Sequence, residues 1–312
     1  MHAAVLEQFG TPVYAEFEEP VAAAGQVVVD VAAAGLNPVD LRKADGTYLT
    51  GPPPLPSVVG TEAVGTVLGS GRRVYVSASI PPFGTMAQRT LTGEEALFDV
   101  PDALDDGHAV ALGIAGLAGW LPLAWRAQLE PGETVLVLGA TGAVGRIAVQ
   151  AAKLLGAGRV VAAGRDPEGL RALAGLGADA TVQLDAADDL AGAFREAAGG
   201  DVDVVVDPLW GAPAVAALEA LGVGGRLVQL GQSAGAEAAV PSVPVRGKQL
   251  DIRGYLNFRV PAEVQREAYR ALTEHAAAGR IAVDVERVPL CDVAEAWARQ
   301  RSGAGRKLLL VP

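Results

Sequence analysis

The stretch "ETVLVLGATGAVGRIAVQAAKLLGAGRVVAAGRDP" (Glu133–Pro167) sets three glycines, Gly139, Gly142 and Gly145, between a short apolar run and a helical pattern. Val135–Leu138 reads as a strand, Gly139–Gly145 as a turn and Arg146–Leu155 as a helix. Glycines in such a turn let backbone come close to a pyrophosphate. The following helix start offers unpaired N–H groups and a partial positive charge to the same phosphates. The spacing G-x-x-G-x-x-G is one residue longer than the usual dinucleotide fingerprint, with the same physical demand. Thr141, Ala143 and Val144 lie inside the turn and are assigned to the cofactor with the three glycines. A tight turn before a helix is the plainer rival, but a strand on either side favours a dinucleotide.

The second strand of this unit ends at Gly164, and Arg165 stands twenty residues beyond Gly145. An NAD enzyme carries Asp or Glu near that place, on the ribose 2′-hydroxyl. Here Gly164 leaves room and Arg165 offers a guanidinium fork that can grip a 2′-phosphate at two points. The expected cofactor is NADPH rather than NADH. Asp166, one residue on, is an alternative group to face the ribose.

The rest of the chain must position this unit. With 312 residues, half of them hydrophobic, two domains of ordinary size can each bury a core. The net charge of −11 comes without a basic block, which excludes the Lys/Arg clustering that nucleic-acid binding needs. No run approaches a membrane span, and the first residues lack the pattern of a secretory signal. A lone cysteine, Cys291, excludes an internal disulfide and a thiolate-rich metal site. Together these point to a cytoplasmic protein with a small-molecule substrate and no nucleic-acid or membrane partner.

Residues 1–118 are rich in strands and turns, with "QVVVDVAAAGL" (Gln26–Leu36) and "RRVYVSASI" (Arg72–Ile80) as strands. Residues 119–254 alternate apolar runs with helical stretches. The runs are Val135–Leu138, Val160–Ala163, Val202–Val206 and Arg226–Leu230, the texture of a parallel sheet covered on both faces. Residues 255–312 hold a helix and two strands, too little for a core of their own, and are expected to complete the first domain.

With that frame drawn, the chain resembles the medium-chain dehydrogenase/reductase superfamily, and within it the zinc-free quinone oxidoreductase (zeta-crystallin-like) branch. The likeness runs from "GLNPVDLRKADGTY" and "GTEAVGTV" through "PGETVLVLGATGAVG", "DVVVDPLWG" and "GGRLVQLGQSAG" to "GRKLLLVP". It implies an α/β protein with a GroES-like β-rich catalytic domain (1–118 and 255–312) and a Rossmann doubly wound parallel-sheet domain (119–254). It also implies NADPH as cofactor and a homodimer. Zinc members of the superfamily carry a Cys near Val39–Asp40 and a His near Thr61, and neither is present. Asp40 and Glu62 alone make a poor zinc site, so no metal is expected.

Hydride transfer without a metal suits quinones and α,β-unsaturated carbonyls, whose oxygen takes up the charge arriving at carbon. The resemblance implies Asn37 and Tyr48 as catalytic candidates. The Asn37 amide would orient ribose or substrate, and the Tyr48 phenol would hydrogen-bond a carbonyl or supply a proton. Asn37 before Pro38 is also ordinary turn chemistry, and Tyr48 can simply cover a loop. Asp40 is expected to fix the Asn37 loop. Arg42, Trp210 and Tyr255 are candidates for the substrate pocket. Leu209, Leu230, Gly231, Gln232 and Asn257 are candidates for the nicotinamide end of the cofactor. Lys307 is read as a surface lysine. Two other functions stay open: an enoyl thioester reductase and a non-catalytic NADPH-binding redox sensor.

Overall fold

The computed structural model describes residues 1–312. It divides into one unit of Met1–Ala115, Tyr269–Gly279 and Val283–Pro312, and another of Gly116–Ala268 and Arg280–Ala282.

The second unit is built on six parallel strands. Their spatial order is Ala180–Gln183, Arg159–Gly164, Thr134–Val137, Val202–Asp207, Leu221–Gln229 and Asp251–Gly254. Numbered along the chain this is 3-2-1-4-5-6, the strand order of the dinucleotide-binding fold. The order reverses between Thr134–Val137 and Val202–Asp207, so the loops after those two strands flank the switch point where such sheets bind ligands. Val135–Val137, Val160–Ala163 and Val204–Val206 are fully buried, which is why the sequence shows unbroken apolar runs rather than alternation. Phe194, from the helix Leu190–Ala198, fills the core beneath them. The helix after the glycine turn spans Ala143–Leu154, beginning three residues earlier than the sequence suggests.

The first unit centres on the ten-residue strand Gln26–Gly35, which pairs antiparallel with Glu62–Val67, Arg89–Gly93 and Lys307–Val311. A separate three-stranded sheet sets His2–Leu6 between Val13–Glu16 and Ser57–Val58. The strand expected over Arg72–Ile80 covers only Arg73–Val76. Ser77 leaves the ladder to bond the Ala96 carbonyl through both its N–H and its hydroxyl, and Pro81–Pro82 cannot continue a ladder. Trp297, wholly buried, anchors this core with Leu36, Met86 and Leu310.

The structural division differs from the sequence reading at Tyr255–Ala268, which sits with the second unit. There the Tyr255 N–H donates to the Gln229 carbonyl at 2.8 Å, extending the parallel pairing past Gly254.

Candidate functional site

The glycine turn follows directly from the strand Thr134–Val137. Gly139 adopts φ +60°, and its missing side chain leaves room for Leu209 from the loop across the switch point. A Cβ on Gly145 would lie 2.4 Å from the Gly139 carbonyl oxygen and 2.5 Å from Ala140 Cα, so no other residue fits. The turn is tied to the sheet by Ala140 N–H donating to the Ala163 carbonyl at 2.9 Å. Gly142 caps the helix without any side-chain bond, leaving first-turn N–H groups to an anion. Thr141, Ala143 and Val144 are half-exposed along the turn.

At the end of Arg159–Gly164, the Asp166 carboxylate accepts from the Glu168 N–H at 3.0 Å and caps the helix Pro167–Leu173. Asp166 thereby has one oxygen engaged as a cap, and the exposed Arg165 stands beside it at the strand end. Gly164 is buried, and a Cβ there would lie 3.0 Å from the Thr141 methyl.

Across the switch point, Asp207 Oδ1 accepts from the N–H groups of Leu209 (2.9 Å) and Trp210 (2.8 Å). This grip holds Trp210 at φ 57°, ψ −162°, a region that costs a side-chain-bearing residue on the order of 1–3 kcal/mol. Asp207 is fully buried with Oδ2 unpartnered, and burial pushes its carboxyl up to about 6 against the two N–H bonds. Trp210 and Leu209 are half-buried against the core of this unit. Gly231 lies so close to the Pro208 carbonyl that a Cβ would sit 2.4 Å from its oxygen. Leu230 is half-buried beside it and Gln232 is exposed. Tyr255 and Asn257 are both buried, the Tyr255 hydroxyl donating to Asn257 Oδ1 at 2.5 Å with the Leu117 carbonyl 3.2 Å away. Tyr255 thus spends its polar end on the protein, and burial drives its phenol far above the ordinary range.

The first unit carries a different construction. Asn37 begins the helix Pro38–Ala44, and the Asp40 carboxylate accepts its N–H at 2.8 Å, the loop-fixing role expected of Asp40. The Asn37 amide is 4% exposed and engaged on both ends. Its Nδ2 donates to Glu62 Oε1 (2.9 Å) and to the Gly35 carbonyl (3.3 Å), while Oδ1 accepts from Lys307 Nζ (2.5 Å). For a ligand this leaves at most one acceptor lone pair.

Lys307 corrects the sequence reading. Its side chain is 3% exposed and forms an ion pair with fully buried Glu62 at 2.6 Å. Lys307–Val311 lies between two other strands of its sheet, so even its first residue is enclosed. Glu62 also accepts from the Tyr75 hydroxyl (2.8 Å) and the Ile114 N–H (2.6 Å). Burial, then the Glu62 charge, drive the Tyr75 phenol far up, so it acts as a neutral donor. Beside this cluster, Lys43 Nζ donates to Thr61 Oγ1 at 3.1 Å and Thr61 donates to Asp40 Oδ1 at 2.6 Å. Burial pushes Asp40 up and Lys43 down, and their mutual attraction opposes both shifts. The Lys43 ammonium lies 5.7 Å from the centroid of the half-buried Tyr48 ring. Arg42 is exposed.

Sequence reasoning passed over Lys43, Tyr75 and the pairing of Glu62 with Lys307. The one available signal was a lysine opening the otherwise apolar strand "KLLLV".

Two family models match the chain, an alcohol dehydrogenase GroES-like domain over residues 23–102 and a zinc-binding dehydrogenase over residues 143–276. The chain is 32% identical to the quinone oxidoreductase of Thermus thermophilus, solved also in complex with NADPH, at a TM-score of 0.85 with both chains fully covered. It is 32% identical to mouse quinone oxidoreductase-like protein 2 over 224 residues, 70% of this chain and 63% of the relative. It is 33% identical to a phenolphthiocerol/phthiocerol polyketide synthase protein of Mycobacterium tuberculosis over 307 residues, 92% of this chain and 14% of that protein. The chain belongs to the medium-chain dehydrogenase/reductase superfamily, as an oxidoreductase of the quinone oxidoreductase type.

The superfamily's zinc does not fit the donors present. Asn37, Asp40, Thr61 and Glu62 bond one another, Lys43 and Lys307, and no group of three or more His, Cys, Asp or Glu is placed to hold a metal. NADPH does fit. The Gly139–Gly145 turn would take its pyrophosphate, Arg165 its 2′-phosphate, and the Leu230–Gln232 backbone its carboxamide.

Proposed function

We propose that this chain is a zinc-independent, NADPH-dependent reductase that transfers hydride to a quinone or an α,β-unsaturated carbonyl compound. The observation that carries the reading is exposed Arg165 at the end of the second parallel strand, with Asp166 occupied as a helix cap. The NADPH complex of the Thermus thermophilus relative supports the same cofactor.

When bound, the reduced nicotinamide supplies a hydride. The acceptor takes it at carbon, its π pair moves onto oxygen, and one proton completes the reduction. Residues of the chain hold the cofactor and meet the oxygen that gains charge. Tyr48 is the phenol assigned to that oxygen, donating a hydrogen bond as charge develops there. Asn37 is assigned to orient the ribose or the substrate, its amide held between Glu62 and Lys307. The protein is assigned to the cytoplasm as a homodimer. The strand Asp251–Gly254 pairs on one side only and half-exposes Ile252, which supports a second copy there. No helix is long and apolar enough to cross a membrane.

The likeness to a polyketide synthase favours one second reading, an enoyl thioester reductase. NADPH oxidation against a single-ring quinone, an enone and a crotonyl thioester separates the readings. Cys291→Ser serves as the background, because the exposed thiol adds to quinones. Turnover with the quinone or the enone is expected. Turnover with the thioester alone supports the second reading, and tight NADPH binding with no turnover supports a redox sensor.

A further inference from the structure

Asp207 ends the strand Val202–Asp207 wholly buried, and only one of its two carboxylate oxygens has a partner. A buried carboxylate with an unpartnered oxygen is costly, and burial raises its pKa accordingly. The same loop carries a second cost, because Trp210 occupies a region of backbone space that is essentially reserved for glycine. One pair of bonds links the two. Asp207 Oδ1 accepts from the N–H groups of Leu209 and Trp210 and holds the turn in that shape. The turn in turn joins two walls of the candidate cradle. Leu209 and Pro208 lie 3.1 and 3.2 Å from where a Gly139 Cβ would stand. On its other side the turn is bonded along its length to the loop after Leu221–Gln229. Leu230 N–H donates to the Asp207 carbonyl (2.9 Å), the Ser233 hydroxyl to the Pro208 carbonyl (3.2 Å) and Ala234 N–H to the Leu209 carbonyl (2.8 Å).

We propose that Asp207 is a positioning residue for the nicotinamide end of the cofactor, its carboxylate latching Leu209 and Trp210 so that this turn and the Leu230–Gln232 backbone keep one place against the Gly139 bend. The role rests on the NADPH reading. Asp207 itself is enclosed and touches no ligand, so its effect passes through Leu209 and the loop bonded to the turn. Arg165 stands at the end of a different strand, Arg159–Gly164, so the adenosine half of the cofactor should be indifferent to the latch.

NADPH and adenosine 2′,5′-bisphosphate, the phosphorylated adenosine half without the nicotinamide, are titrated by calorimetry into wild type, Asp207→Asn, Asp207→Ser and Asp207→Ala. Wild type is expected to bind both. Asparagine keeps the accepting oxygen, serine makes the same kind of turn more weakly, and alanine leaves both N–H groups unmet. NADPH affinity should fall in that order, by roughly tenfold or more at alanine, while the bisphosphate is bound equally well throughout. Thermal unfolding identifies any variant that fails to fold, and the serine variant carries the comparison should alanine be that one. Equal losses for the two probes would make Asp207 a scaffold residue only and overturn the positioning role. NADPH binding unchanged in both the serine and the alanine variants overturns it as well. Wild type that binds neither probe overturns the NADPH reading, and the positioning role with it.

Discussion

In the second unit the candidate dinucleotide cradle is made of backbone. Gly139, Gly142 and Gly145 contribute the absence of side chains, and the helix start contributes N–H groups. In the first unit the polar centre is made almost wholly of side chains, Asn37, Glu62 and Tyr75 from neighbouring segments and Lys307 from more than 200 residues on. At Gly145 this backbone site leaves no room for an added atom. A side-chain site tolerates shape changes but not the loss of one charge from a pair. The two regions should therefore fail in different ways.

The largest effect is expected from Gly145→Val. Its Cβ would meet the Gly139 carbonyl and Ala140, so NADPH binding should be lost outright and the melting temperature lowered, as calorimetry and thermal unfolding would show. Retained binding would mean that the turn relaxes more readily than its contacts indicate.

Lys307→Met comes next. It leaves Glu62 buried without its ammonium, which should cost about 3–5 kcal/mol in urea unfolding. Glu62→Gln added to Lys307→Met should recover most of that loss, since removing both charges of a buried pair is far less costly than removing one. No recovery would show that packing, not charge, dominates there.

Asp207 links the cradle to pH. Its folded pKa of about 6 lies above the ordinary value of 3.8, so the folded state binds a proton more tightly than the unfolded chain does. The associated stability is present below about pH 4 and is lost as pH rises through 6. Asp207→Asn, which keeps an oxygen for the Leu209 and Trp210 N–H groups, should gain about 2 kcal/mol on wild type between pH 4 and pH 8. A difference that does not change with pH would remove the carboxyl's titration from the account.

A smaller effect is expected at Tyr48. Tyr48→Phe should lower kcat for an enone several-fold, about 1 kcal/mol, with little change in KM, if the phenol acts mainly on the developing oxyanion. An unchanged kcat would make Tyr48 a wall residue and a platform for Lys43.

The same contrast explains what the sequence revealed and what it hid. The parallel sheet was legible because strands covered on both faces have unbroken apolar runs, and the glycine spacing was legible because a positive φ at Gly139 and close backbone approach at Gly145 disfavour other residues. The segment Tyr255–Ala268 groups with the second unit, its start held by the Tyr255 N–H bond to Gln229 and the Tyr255 hydroxyl beside the Leu117 carbonyl, contacts that residue type does not announce. Lys307 was misread because a charged residue is taken as exposed unless its partner is known, and that partner is 245 positions away. Lys43 was passed over because nothing near it in sequence distinguishes it from a solvated helical lysine. Only the fold does, by burying it beside Thr61 and Asp40.

The central claim is best tested by the affinities of NADPH and NADH for wild type and Arg165→Ala, measured by calorimetry under one salt condition. The account expects wild type to prefer NADPH, and the substitution to weaken NADPH by roughly tenfold or more while changing NADH less than about threefold. Equal affinities in wild type, or equal losses for both coenzymes, would contradict it.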